Sequence, residues 1–386
     1  MKEYIKQFEL IVKKLIILPS YFIKLNPKKI VVSNFNGKGY GDNPKYIVRS
    51  LLDLNEGYDI VWMLEDLSCY LPDSVRKVKI GSIKSFYEMA TAKVWIDNIR
   101  TTWRPWKRKG QVYLQTWHGS FGPKLVERDA VDALSPEYVM KAKKDGEICD
   151  AIIASNYFQV MQYKNSFWLN KDTKILRFGT PRNDVLFTKK NIDIDYIKDF
   201  LGIPQDAKVI LYMPTFRDDF STKGYLFNFE KTVAEFEKRF KENFVIIVRF
   251  HPNVQQKHSK LIMFSKKVIN GSLYEDSQEL LLITDYLVSD YSSAPFDFML
   301  LNKPVFLYMP DYIEYKAKRG MLDIFASLPF SKSYSEEQFF ENIRNFDETE
   351  YIIKINCFKK DFQTYEDGNA AVSIANWIDK KINLDS

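Results

Sequence analysis

Residues 287–308 read LVSDYSSAPFDFMLLNKPVFLY. Two short apolar runs flank a polar turn, Ser289, Asp290, Ser292 and Ser293, followed by Pro295 and a mainly apolar stretch. The runs have the length and composition of buried strands, and serine, aspartate and proline ahead of an apolar stretch mark a helix start. The segment therefore reads as strand, tight turn, helix, strand. Two parallel strands joined this way form a βαβ unit, whose strands are covered on both faces and so are apolar throughout.

The same kind of run recurs in both directions. KIVVSNF (29–35), YDIVWML (58–64), KVWIDN (93–98), QVYLQTW (111–117), DAIIAS (150–155) and KILRFGT (174–180) form one series. KVILYMP (208–214), FVIIVRFHP (244–252), LLITDYLVSD (281–290) and KPVFLYM (303–309) form a second. Helix-like stretches separate them, and the polar stretch 188–206 reads as the link. At 386 residues the chain exceeds one ordinary domain. The expectation is an α/β protein of two Rossmann-like domains, 28–190 and 191–386, with the last helix free to pack back on the first. Residues 1–27 form a separate N-terminal segment. No internal repeat or low-complexity tract is visible.

That segment carries nearly all of the net charge of +6, with seven lysines against two glutamates in residues 1–30. Tyr4, Ile5, Phe8, Ile11, Val12, Leu15 and Ile16 recur at helical spacing, and Pro19 ends the pattern. A basic amphipathic helix suits an anionic membrane surface, with Lys2, Lys6, Lys13 and Lys14 as its contacts; a helix packed on its own domain is the alternative. Nucleic acid is the poorer partner, because the basic excess is confined to one end and no nucleic-acid motif is present. No apolar run is long enough to span a bilayer, and no signal peptide is recognisable. Cys69, Cys149 and Cys357 are scattered and form no CxxC, which fits a reducing cytoplasm and indicates no metal cluster.

Ligands of doubly wound sheets bind beyond the C-terminal strand ends. Two of the three histidines stand there, His118 in QTWHGSFGPK and His251 in VRFHPN. Histidine suits a general base acting on a hydroxyl. Gly119 would let a ligand approach, and Lys124 follows. Thr215 and Arg217 in MPTFRDD would contact phosphate, and Arg249 beside His251 would clamp it. Ser289, Asp290, Ser292 and Ser293 would offer an anion site at a helix start, and Asp297 would accept from a ribose hydroxyl. The glycine-rich NGKGYGDNP (36–44) is not GxGxxG and reads as a flexible loop rather than a cofactor site. RPWKRK (104–109) reads equally as a site for an anionic acceptor or headgroup and as a solvated loop. With no phosphate loop, catalytic triad or metal cluster, the set suits a bound nucleotide diphosphate and transfer assisted by cations and imidazole. No tightly bound cofactor is indicated; Mg2+ is compatible with such a donor but not called for.

QTWHG, GTPRND (179–184), PTFR, RFHP, SDYSSAPFD with KP, RGMLD (319–323), NGKGYGDNPKYI, AKVWIDN and EDGNAA (366–371) together resemble the CDP-glycerol glycerophosphotransferases of teichoic acid and capsule synthesis, over residues 29–378. The resemblance implies a GT-B-like fold, two Rossmann-like domains facing across a cleft, with the donor on the C-terminal one. It implies a bacterial enzyme, peripheral on the cytoplasmic face of the membrane, that moves glycerol phosphate from CDP-glycerol to an acceptor hydroxyl and releases CMP. It implies His118 and His251 as catalytic, Ser292 and Ser293 on phosphate, Asp297 on the nucleotide and Arg319 over the polyol phosphate. CDP-ribitol is the alternative donor, and a GT-B nucleotide-sugar glycosyltransferase the more distant one. The family's polymerases usually read WHG-TPLK, where this chain has WHGSFGPK. With no long N-terminal extension either, a primase or a capsule enzyme adding one unit stands beside a polymerase, and the acceptor, lipid-linked or polymeric, is left open.

Overall fold

The structure, a computed structural model, describes residues 2–188, 192–217, 222, 224–225, 228–250 and 259–383. His251 lies outside the described residues, as do the side chains of Lys2 and Lys6.

Two compact units emerge. The first comprises Met1–His118, Glu127–Asp184 and Tyr365–Ser386; the second comprises Gly119–Val126 and Val185–Thr364. Neither is one continuous stretch. The chain leaves the first unit directly after His118, returns at Glu127, and returns again with its last helix.

The first unit holds β1 (Asn26–Ser33), β2 (Asp59–Leu64), β3 (Arg76–Lys79), β4 (Ala92–Asp97), β5 (Val112–Gln115), β6 (Ala151–Ile153) and β7 (Lys174–Leu176). They pair in parallel in the order β3-β2-β1-β4-β5-β6-β7. The second holds β8 (Lys208–Tyr212), β9 (Phe244–Val248), β10 (Val268–Asn270), β11 (Tyr286–Ser289), β12 (Val305–Tyr308) and β13 (Ser331–Ser333), parallel in the order β10-β9-β8-β11-β12-β13. Each sheet reverses its strand order once, between β1 and β4 and between β8 and β11, which is the Rossmann switch point.

Burial explains the apolar runs. Ile30, Val32, Ile60, Trp62, Val94 and Ile96 share one core with Ile374, Ile378 and Ile382 of the C-terminal helix Ala370–Asn383. That helix is held by a distant cap: both carboxylate oxygens of Asp184 accept from its first amides, Ala370 at 3.0 Å and Ala371 at 2.7 Å. Three such apolar side chains, at roughly 1.5–3 kcal/mol each for full burial, outweigh the cap several-fold. The sequence misplaced some boundaries. LLIT (281–284) is the end of helix Ser277–Ile283 and its cap, not strand. The presumed link contains helix Ile194–Leu201, capped by Asp193 and ended by Gly202 at φ 69°.

Candidate active site

His118 follows β5 through a strained turn. Trp117 has φ 54°, a left-handed conformation that is uncommon for a bulky side chain. Three bonds hold that turn. Gln115 Oε1 accepts from Trp117 N at 2.9 Å, Asp97 O accepts from Thr116 N at 2.8 Å, and Asn43 Nδ2 donates to Trp117 O at 3.1 Å. The indole packs edge-on against Phe167, with the Arg100 guanidinium beyond its face. The half-buried imidazole that results is bounded by Trp117 at 4.4 Å and Phe35 at 5.5 Å between ring centres. Its Nδ1 lies 2.8 Å from the main-chain oxygen of Asn98. A carbonyl only accepts, so Nδ1 carries the proton and the neutral ring has its lone pair on Nε2.

The residues that build this arrangement had no individual role in the sequence reading. Asn98 directly follows β4, Asn43 lies in the first turn of helix Asp42–Asp53, and Arg182 lies in GTPRND. Arg182 donates to His118 O at 2.9 Å and to Asp42 Oδ2 at 2.6 Å, while its amide donates to Asn43 Oδ1. Glu366 of EDGNAA accepts from Thr180 N and Asn183 Nδ2 and so fixes the turn that carries Arg182. The signal was present, since all four lie in motifs that carried the family resemblance. The glycine-rich loop is built rather than loose: Phe35, Asn36, Gly37 and Gly39 all have positive φ, and Gly37 N and Lys38 N both donate to Asn34 O.

In the second unit the polar residues at the β8 and β11 ends mostly bind one another. Ser289 Oγ donates to Met213 O at 2.7 Å. Asp290 accepts from Thr215 N at 2.8 Å and from Arg217 at 2.9 Å. Arg217, read as a phosphate contact, is 6% exposed and donates also to both oxygens of Asp311, at 2.6 and 3.1 Å, and to Thr215 O. Burial pulls its pKa down, but Asp290 and Asp311 push harder and the net shift is upward. Its guanidinium lies over Tyr225, Tyr291 and Tyr315. This is a structural ion cluster, not an open phosphate clamp. Arg249 likewise donates to the main-chain oxygens of Gly271, Tyr274 and Glu275. Thr215 differs: its Oγ1 is buried with no hydrogen-bond partner among the described residues.

Asp297 is also committed. It accepts from Ser120 Oγ at 2.5 Å and from Gln278 Nε2 at 3.3 Å, and so anchors the segment after His118 rather than facing a ribose. Gly119 runs against Ser293, since a Cβ there would stand 3.2 Å from Ser293 Oγ. The close approach that glycine allows is to the protein's own serine. Phe121 packs edge-on against Phe296 and Phe362. Lys124 bridges antiparallel to Met321, Leu322 N donates to Pro123 O at 2.7 Å, and Leu125 N to Gly320 O at 3.4 Å. This pairing brings the half-buried Lys124 and Arg319 into one neighbourhood of the second unit. The helix that follows Ser292 and Ser293 is only Ala294–Phe298, too short for a strong dipole, and Ser292 Oγ accepts its first amide, Ala294 N.

RPWKRK is not a free cationic patch. Arg104 is buried on Asp145 and Asp97, Lys107 binds Asp150 and Ile148 O, and Arg108 donates to Ser20, Ile23 and Ala90 oxygens. No group of three or more residues able to hold a metal ion occurs among the described residues.

The family model described as CDP-Glycerol:Poly(glycerophosphate) glycerophosphotransferase matches residues 16–380. A teichoic acid glycerol-phosphate transferase of Staphylococcus aureus is 33% identical over 92% of this chain and 94% of its own length. A teichoic acid poly(glycerol phosphate) polymerase of Staphylococcus epidermidis is 32% identical over 93% of this chain, which spans only 51% of that polymerase. Among solved structures, the wall teichoic acid polymerase TagF superposes with a TM-score of 0.84 at 30% identity, over 98% of this chain and 94% of that one.

Proposed function

The chain belongs to the CDP-glycerol:poly(glycerophosphate) glycerophosphotransferase family, and on that premise we propose that it transfers glycerol phosphate from CDP-glycerol to a hydroxyl of a teichoic-acid-like or capsular acceptor. The acceptor oxygen attacks the phosphorus that carries glycerol. The bond from that phosphorus to the bridging oxygen breaks, CMP leaves, and the hydroxyl proton passes to His118 Nε2. The observation that carries the reading is the His118 ring itself, half-buried past a strand end with Nδ1 tied to Asn98 O. That bond supplies a base of defined tautomer, and the charge the ring gains is stabilised by a carbonyl dipole already in place.

Donor binding is assigned to the β8–β11 switch point of the second unit. The buried Thr215 hydroxyl, with no partner among the described residues, supports a ligand contact there. Ser292, Ser293, Lys124 and Arg319 are the further phosphate contacts we assign. Arg217, Asp290, Arg249, Ser289 and Asp297 act as the frame that holds them. His251 keeps the catalytic role that the family resemblance gives it. Glycerol is favoured over ribitol because both relatives described above are named for glycerol phosphate.

The N-terminal helix Lys2–Ile16 and the turn Leu18–Phe22 support a peripheral place on the cytoplasmic membrane face. Phe8, Ile11, Leu15, Ile16 and Phe22 are exposed, Lys13 sits over Trp103, and Lys14 over the exposed Trp106. No helix among the described residues is long and apolar enough to cross a membrane.

The test is CMP release from CDP-glycerol and, in parallel, from CDP-ribitol, with a lipid-linked or short teichoic-acid acceptor. His118→Ala should lower turnover by at least about 100-fold with the donor still bound. Full activity in that variant would remove His118 from the chemistry.

A further inference from the structure

Asn98 is fully buried at the end of β4, and each of its polar groups is used. Its main-chain amide donates to the Asp97 carboxylate at 2.8 Å. Its side-chain oxygen accepts from Phe35 N at 2.7 Å, and its side-chain nitrogen donates to Asn34 Oδ1 at 2.8 Å. Its main-chain oxygen accepts from His118 Nδ1 at 2.8 Å. The two strands it joins, β1 and β4, flank the switch point of the first sheet.

The bond to Phe35 matters because Phe35 is strained. Its φ is 42°, and Asn36 and Gly37 continue the left-handed run at 58° and 93°. Such backbone persists only where surrounding bonds over-determine it. Held there, the Phe35 ring faces the His118 imidazole at 5.5 Å, tilted by 60°. One side chain therefore sets the wall of the imidazole, and the same residue's carbonyl sets its proton.

We propose that Asn98 is the positioning residue of this site: its carbonyl holds His118 as the Nδ1–H tautomer, and its amide side chain fixes the strained Phe35 turn that walls the ring. The proposal rests on His118 being the base. It fits the chemistry, because only the tautomer with its lone pair on Nε2 can take a proton at the atom pointing away from Asn98. Asparagine is needed at this place. Serine cannot both accept from Phe35 N and reach Asn34, and aspartate loses the donor while adding a charge beside Asp97.

The measurement is long-range 15N–1H correlation on protein labelled in its histidines, with the His118 signals assigned by their loss in His118→Ala. The chain has 3 histidines, so the spectrum is simple. The wild type should show His118 as Nδ1–H at high pH. Asn98→Ser keeps the carbonyl and frees the Phe35 turn, so His118 should remain Nδ1–H while its ring-proton shifts, set by the facing Phe35 ring, move; kcat should fall roughly 100-fold through loss of alignment, and the acid limb of the pH–rate profile should move. Donor affinity by calorimetry should stay within about twofold, which also reports that the variant is folded. Asn34→Ala, one bond further out, should give the same changes in smaller measure. A wild-type Nε2–H tautomer overturns the proposal. So does an Asn98→Ser protein whose His118 ring-proton shifts and acid limb are unchanged while kcat falls, because that is a merely structural loss. Full activity in His118→Ala would instead sink the base assignment, and the spectrum would still decide the tautomer.

Discussion

Arg217 offers a direct contest between two readings of one residue. At a strand end, in PTFR, an arginine looks like a phosphate ligand; in the fold its side chain is 7% exposed between Asp290 at 1% and Asp311 at 11%. Replacing it by methionine leaves two buried carboxylates facing each other without a cation. Breaking a buried pair by removing one partner costs about 3–5 kcal/mol. Loss of the cation over three tyrosine rings adds roughly 0.5–2 kcal/mol. For a unit of this size 1 kcal/mol moves Tm by about 2–4 °C, so Arg217→Met should lower the melting temperature by roughly 10 °C or more. Adding Asp290→Asn should recover part of the loss, because it removes one orphaned charge while an amide oxygen still accepts from Thr215 N. The assay is thermal and urea unfolding beside donor affinity by calorimetry. Thr215→Val is the contrasting control: its hydroxyl has no partner to lose among the described residues. That variant should unfold at least as late as wild type while donor affinity drops about tenfold. An Arg217→Met protein of normal stability whose donor affinity collapses would refute the frame assignment and return Arg217 to the phosphate.

Two further outcomes follow from the first unit. Burial pushes the Asp97 carboxyl up to about 7, with Arg104 pulling against it and Asp145 adding to it. The folded chain then keeps a proton that the unfolded chain has released, so Asp97's contribution to stability falls as pH rises from about 4 to about 7 and is flat above. The ceiling is roughly 4 kcal/mol, at about 1.4 kcal/mol per pH unit across that window. Asp97→Asn keeps an oxygen for the Asn98 and Ile99 amides and should flatten this slope in urea midpoints taken at about pH 5 and about pH 8; equal slopes in both proteins would refute the assignment. At the N-terminus, Phe8→Asp with Leu15→Asp should abolish sedimentation with anionic vesicles, because both side chains are exposed, at 68% and 54%, and fold contacts are spared. Unchanged sedimentation would place membrane contact elsewhere.

Central strands were legible because burial on both faces demands continuous apolar runs, as in IVWML of β2 and FVIIV of β9. Apart from β7 in KILRFGT, edge strands were not. β3 is RKVK and β13 is SKS, each half-exposed beside a single neighbour, so nothing in their composition separates them from loop. LLIT was misread because a short apolar run fits a buried strand and a buried helix end equally well.

The site was legible in type and not in partnership, and one physical rule accounts for both. Polar atoms at strand ends are buried by the loops above them and must be satisfied. Most are satisfied by residues distant in sequence. Arg217 meets Asp290 at a separation of 73 residues and Asp311 at 94, and Ser120 meets Asp297 at 177. No local pattern distinguishes an arginine facing a phosphate from one facing its own aspartates. A reading that assigns every strand-end cation and serine to a ligand therefore overcounts. The groups to retain are those whose capacity the fold leaves open or actively prepares. Thr215 Oγ1, buried without a partner among the described residues, is one of the first kind. His118 is of the second, because Asn98 O holds the proton on Nδ1 and leaves the lone pair on Nε2.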